Sequence, residues 1–137
     1  MSLQQVSTAL TASAVMANGA DFPASVRDIA RIELSPLVQA IDRDGLYPEG
    51  VMRSLGSAGA YRSHLPDLDG DVPDLLPSIE AMAIAGELCL STSFCMWCQD
   101  ALGWYIYNSE NQALKAELGL GVASGEILGG TGLSSYP

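Results

Sequence analysis

Basic residues are scarce in this chain. Six Lys and Arg stand against 16 Asp and Glu, a formal net charge of −10. Such an average repels a polyanion, and no basic stripe reverses it locally, so nucleic-acid functions are excluded. Anionic membrane surfaces are disfavoured for the same reason. Histidine occurs once and cysteine three times. Cys89, Cys95 and Cys98 are odd in number and close together, which does not suggest a secreted disulfide framework. With His64 the one histidine, no second CxxC pair and the cysteines in an apolar helical run, a structural zinc site is not the expected reading. Low-complexity segments and internal repeats are absent, the seven Pro and 14 Gly being spread along the chain. A membrane-length apolar run is missing too. Residues 88–106 come nearest, but they hold Asp100, Ser91, Thr92, Ser93, Gln99 and Gly103 and are flanked by Glu87 and Glu110, so a buried helix is expected rather than a span. Met1–Gln5 lacks the charged start and apolar stretch of a secretion signal, and a reducing cytoplasm is the expected compartment.

What is present is a core. Hydrophobic residues make up 48% of 137 positions and charged residues 16%, enough apolar surface for one domain and too few charges for disorder. Residues 3–18 predict a short small-residue helix ending at Asn18-Gly19. Val26, Ile29, Ala30, Leu34, Leu37, Val38 and Ile41 recur at three- and four-residue spacing and predict one amphipathic helix, kinked by Pro36 and ended by Asp44-Gly45. Pro48-Glu49 opens another, with Val51, Met52 and Leu55 inward and Gly56 and Gly59 at its end. A polar loop follows, rich in Asp. From Asp74, a candidate N-cap, to about Tyr107 the pattern predicts one long interior helix, kinked near Ser91-Thr92-Ser93, where hydroxyls bond back to the ladder. A last helix is expected over 110–120, capped by Asn108-Ser109. The fold class expected is all-α: an up-and-down bundle of five or six helices with an extended C-terminal tail. Residues 1–124 form the helical domain on this reading, and 125–137 begin a β-domain.

Four stretches, in order, carry a resemblance to the acyl-CoA dehydrogenase family, over roughly residues 25 to 134. Ile41-Asp42-Arg43-Asp44-Gly45-Leu46-Tyr47-Pro48-Glu49 is similar to the family's junction between two helices. Leu55-Gly56-Ser57-Ala58-Gly59 is similar to the turn after it. The helical segment 79–107 matches the central helices. The run from Asn108-Ser109-Glu110-Asn111-Gln112 to Gly125-Glu126 is similar to the family's segment before its β-domain.

The resemblance implies an FAD-dependent oxidoreductase of fatty acid metabolism, usually oligomeric, acting on an acyl-CoA thioester. A carboxylate takes the α-proton while a hydride leaves the β-carbon for the flavin. That base resembles a Glu late in the family's chain, beyond these residues. The implied role here is one wall of the acyl and flavin pocket, with Ser91, Thr92, Cys95 and Gln99 toward the acyl chain. Gly130, Thr131 and Ser134 fall where the family's "TEPxxGSD" run meets the flavin, although the Glu and Pro of that run are absent. A homo-oligomer is expected.

Other readings stay open. A non-catalytic helical module would use exposed aromatics such as Trp97, Trp104, Tyr105 and Tyr107 for self-association or partner binding. Cys95-Met96-Trp97-Cys98 has redox spacing, but it lies mid-helix, away from the helix start that lowers a thiol pKa, and reads better as packed core. His64 reads as a solvated loop residue. Asp67, Asp69, Asp71 and Asp74 fail the calcium-loop pattern at its twelfth position and read as solvation and capping.

Overall fold

The computed structural model describes residues 22–64 and 73–130. The expected helix over 3–18 and Asp67, Asp69 and Asp71 lie outside them. All regular structure among the described residues is helical, as the apolar spacing requires.

Helix α1, Phe22–Ile29, runs into a wide π-type turn, Ala30–Leu34, a tight 3-10 turn, Ser35–Leu37, and helix α2, Val38–Asp44. The irregularity has a single cause. Pro36 has no N–H to donate, and the ladder reslots around it. The Ser35 N–H bonds to Ala30 O, one residue further back than in an α-helix, before the chain tightens at the proline. Gly45, at φ 70°, closes α2 as a left-handed cap, with the Leu46 N–H reaching Ala40 O at 3.2 Å, a helix end that glycine makes cheap.

Helix α3, Glu49–Ser57, buries Val51, Met52, Leu55 and Gly56. Helices α4, Leu76–Gly86, and α5, Leu90–Asn108, follow. The single long helix expected here is two. The chain breaks at Glu87–Cys89, ahead of the hydroxyl cluster, because Cys89 turns extended (φ −150°, ψ 104°) and its Sγ accepts the Thr92 N–H at 3.4 Å. A thiol thus takes the capping place usually held by Ser, Thr, Asp or Asn. Ser93 then ties the two helices together by donating to Met82 O at 2.9 Å.

Helix α6, Gln112–Ser124, starts from Asn111, whose side chain accepts the Leu114 N–H at 3.1 Å. It begins two residues later than expected and runs on to Ser124, so Gly121 does not end it. That glycine serves packing, since a Cβ there would lie 2.6 Å from Ile127 Cδ1.

Helix α4 packs on α5, α5 on α6, α1 on α4, and α3 on α6. Between them Val26, Leu34, Met52, Leu55, Tyr61 and Met96 are buried. Tyr61 keeps its hydroxyl satisfied by donating to Met52 O at 3.0 Å, and burial holds its pKa far above the usual phenol range. At the far end of the bundle, Arg53 donates to Gly125 O (3.1 Å) and Glu126 O (2.7 Å) while pairing with Glu49 at 2.8 Å. One of the few cations is thereby spent on the carbonyl end of α6, where a positive charge is favoured.

Candidate functional site

Helix α5 sorts its side chains by position. Met96, Gln99, Gly103 and Ile106 are buried. Ser91, Cys95, Cys98 and Leu102 follow one another at four, three and four residues and so share an adjacent face. Ser91 is exposed, and Cys95, Cys98 and Leu102 are half-buried.

Two segments border this face. At its start, Ser91 Oγ lies 3.4 Å from Asp42 Oδ1, and Tyr47 is close enough to feel both Cys95 and Cys98 electrostatically. Burial, reinforced by Cys95 and Glu49, raises the Tyr47 phenol. At its other end lies the Gly129-Gly130 backbone. A Cβ at Gly129 would fall 2.5 Å from Leu102 Cδ2, and one at Gly130 would touch Cys98 Cβ at an ordinary 3.7 Å. Gly129 therefore lies where a side chain would press on Leu102, while Gly130 leaves room for one.

Gln99 holds that backbone in place. Its Nε2 donates to Val122 O (3.1 Å) and Ile127 O (2.8 Å), and its Oε1 accepts the Gly129 N–H at 2.9 Å. An amide carries both kinds of group needed for such a clamp. Of the four residues expected toward an acyl chain, Ser91 and Cys95 lie on the shared face, whereas Thr92 and Gln99 are 0% exposed, with their polar groups committed to Cys89 and to the 122–129 backbone. Gly130 joins the face through Cys98; Thr131 and Ser134 lie outside the described residues.

Asp42, Tyr47 and Leu102 were not singled out as site residues from the sequence. The stripe that contains Cys95 and Cys98 carries Leu102 at the right spacing, but Asp42 and Tyr47 come from a distant segment.

The three cysteines are free. Burial first, then Cys98 and Cys89, pushes the Cys95 thiol up, the opposite of what a redox nucleophile needs. On treatment with iodoacetamide at neutral pH, Cys89 and Cys95 are therefore expected to resist alkylation in the native chain and to react once it is unfolded in urea. Peptide mass spectrometry reads this directly, and rapid native modification of Cys95 would restore the redox reading. No group of His, Cys, Asp and Glu among the described residues is placed to hold a metal.

On the opposite side of α5, Asp100 is 3% exposed. Burial raises its pKa from 3.8 to about 7, against a lowering by the hydrogen bond from Ser78. Ser78 Oγ sits 3.0 Å from Ala60 O and 3.2 Å from Asp100 Oδ1, and a single hydroxyl proton serves only one of them. A protonated Asp100 that donates to Ser78 while Ser78 donates to Ala60 O satisfies both. The sign for stability follows. The unfolded carboxyl ionises near 3.8 and the folded one near 7, so stability from this group is complete in acid and is lost as pH rises across that window. Asp100→Asn is expected to leave the urea midpoint unchanged in acid and to raise stability by roughly 2–4 kcal/mol above neutrality, as measured by urea titrations at both ends.

The family model for the acyl-CoA dehydrogenase N-terminal domain matches residues 17–126, well over half of the chain. The chain belongs to this family. No curated protein and no solved structure gave a match. The acyl-CoA dehydrogenase N-terminal match takes in every helix described here and ends at Glu126, the residue whose carbonyl Arg53 grips. Ser91, Thr92, Cys95 and Gln99 fall inside it, and Gly130 lies just beyond. No helix among the described residues is long and apolar enough to cross a membrane.

Proposed function

We propose that this chain serves as the N-terminal domain of an FAD-dependent acyl-CoA dehydrogenase-type oxidoreductase, and that the Ser91–Cys95–Cys98–Leu102 face of α5 walls the acyl and flavin pocket. One observation carries the reading: a half-buried, weakly polar helix face runs straight into a glycine pair whose backbone is pinned against it by Gln99. A flavin ring needs flat, side-chain-free main chain to lie against, and Gly129-Gly130 fits that need, with Thr131 and Ser134 next in sequence.

When FAD is bound it supplies the hydride acceptor for the β-carbon of an acyl-CoA thioester. The part played by these residues is to shape and dry the pocket. Cys95 and Leu102 exclude water along the acyl chain, and Ser91, beside Asp42, stands at the polar rim. Thr92 and Gln99 act from behind, fixing the start of α5 and the approach of the Gly130 backbone. The general base and most of the flavin contacts are supplied by segments of the family that follow this domain.

The test is to express this chain with the coding sequence that follows it. A yellow protein is expected, whose flavin absorbance bleaches anaerobically on addition of a straight-chain acyl-CoA. Gly130→Val should lower flavin occupancy without unfolding the domain. A colourless product that neither retains FAD nor bleaches would sink the proposal.

A second reading is favoured by the surface. Leu90 (78% exposed) and Phe94 (60% exposed) stand on α5 one turn apart, with Phe94 stacked on Trp97 at 5.5 Å. Contiguous exposed apolar surface of this kind marks an interface, and a second copy of the chain is its occupant on this reading. Phe94→Glu is then expected to convert a dimer to a monomer in sedimentation equilibrium; a wild-type chain that already sediments as a monomer removes this reading.

A further inference from the structure

Helix α5 carries one unbroken apolar stripe toward solvent. Leu90, Phe94, Trp97, Ala101 and Trp104 follow one another at four, three, four and three residues, the spacing of a helix–helix seam. The four large ones are exposed and Ala101 is half-buried. The stripe lies about a quarter turn round the helix from the Ser91–Cys95–Cys98–Leu102 face, so the two faces can be covered at once.

The stripe is not level. Leu90 and Phe94 are its most exposed members, and Phe94 stacks on Trp97 at 5.5 Å. Beyond Trp97, Ala101 lines a cleft of about 390 Å³ between α4 and α5, whose walls include Trp97, Trp104, Ile79 and Tyr105. That space is ample for a phenyl ring. A ridge and a hollow therefore share one surface, on either side of Trp97.

We propose that two copies of the chain pair through this stripe with their α5 helices antiparallel about a two-fold axis at Trp97, the Phe94 ring of each entering the cleft of the other over Ala101. The proposal rests on the second reading above, in which a second copy covers Leu90 and Phe94, and it adds the register and the role of the cleft. A two-fold contact needs a surface that is its own complement. Counted from Trp97, Leu90 lies seven residues before and Trp104 seven after, while Phe94 lies three before and Ala101 four after. Reversing the helix about Trp97 thus sets Leu90 against Trp104 and the bulk of Phe94 against the smallest residue of the stripe. A parallel pairing sets Phe94 against Phe94 and leaves both clefts unfilled.

Charge and area agree with a second copy as the occupant. A net charge of −10 opposes the association of two copies, but none of it lies on the stripe: Asp100, the one charged residue of α5, is 3% exposed. The exposed parts of Ile79, Leu90, Phe94, Trp97, Trp104 and Tyr105 come to on the order of 700 Å², close to the ~800 Å² that each partner gives to a stable complex.

Sedimentation velocity over a concentration series, on the purified chain and its variants, tests the register. The wild type is expected to dimerise, and its tryptophan emission to move to the blue as it does, since both tryptophans of the chain lie on the stripe. Ala101→Phe fills the hollow and is expected to weaken the dimer roughly tenfold or more; Phe94→Ala removes the ridge and is expected to do the same. The two changes together exchange ridge and hollow. The double variant is expected to return close to wild-type affinity, a recovery that a folding defect in Ala101→Phe cannot imitate. A wild type that stays monomeric removes both this register and the second-copy reading. A wild-type dimer that Phe94→Glu dissociates but Ala101→Phe leaves intact overturns the register alone, and so does a double variant no tighter than either single one.

Discussion

Gly56→Ala is expected to be among the most damaging single-methyl additions to this chain, lowering stability by roughly 3 kcal/mol. The added Cβ would lie 2.5 Å from Gly125 Cα, 2.6 Å from Gly125 N and 2.7 Å from the Ser124 carbonyl carbon. All three are backbone, so no side chain can swing away. Helices α3 and α6 would have to separate by the better part of an ångström, and the separation would stretch the Arg53 bonds to Gly125 O and Glu126 O. Alanine's better helix propensity returns at most about 1 kcal/mol and does not close the gap. Gly50→Ala makes the control. It lies on the same helix, its new Cβ meets nothing within 4 Å, and a gain of several tenths of a kcal/mol is expected from propensity alone. Urea midpoints that move in opposite directions for the two variants would establish the contact; equal effects would refute it.

The second large effect belongs to Gln99→Leu. Leucine matches the volume and removes three hydrogen bonds, leaving Ile127 O and the Gly129 N–H without their partner, while Val122 O keeps the Gly125 N–H. Losing about 2–4 kcal/mol is expected, since the orphaned groups are partly shielded from water and each costs about 1 kcal/mol or more. The effect should also be local in a way that a simple packing defect is not. Amide hydrogen exchange at Gly129 is expected to rise sharply while the Leu34, Met52 and Leu55 amides change in step with global stability. On the proposed flavin reading the same substitution should also cost FAD occupancy, because the backbone at Gly130 would no longer be held to α5. Retained protection at Gly129 would show that Leu102 and Cys98 suffice to hold the segment.

The bundle was legible because its physics is local. Three- and four-residue spacing from Val26 to Ile41, the proline at 36 and the Gly45 stop each act within a turn or two, and the helices stand where that spacing puts them. The break before α5 was not legible, because Cys89 caps the helix with a thiol and cysteine is a weak capping signal beside the Ser and Thr that follow. Gly121 misled for a related reason: its small size answers to Ile127, a neighbour created by the turn after α6. The candidate face was half legible. Ser91 and Cys95 share a stripe that helical spacing announces, whereas Thr92 and Gln99, one position further round, turn into the core. Asp42 and Tyr47 reach that face through tertiary packing alone. Asp100 carried a faint signal, a single carboxylate in an apolar run, but nothing in the sequence joins it to a histidine 36 positions earlier, whose ring stays partly exposed in its turn while meeting Trp104 edge-on.

The segment from Gly125 to Gly129 is moored from three directions: by Arg53, by the backbone contact at Gly56, and by Gln99. Whatever polypeptide follows Gly130 therefore leaves the bundle from a fixed berth. Residues some seventy positions upstream set the angle of departure, and a small tilt of α3 would be magnified with distance into a large displacement of anything carried beyond it.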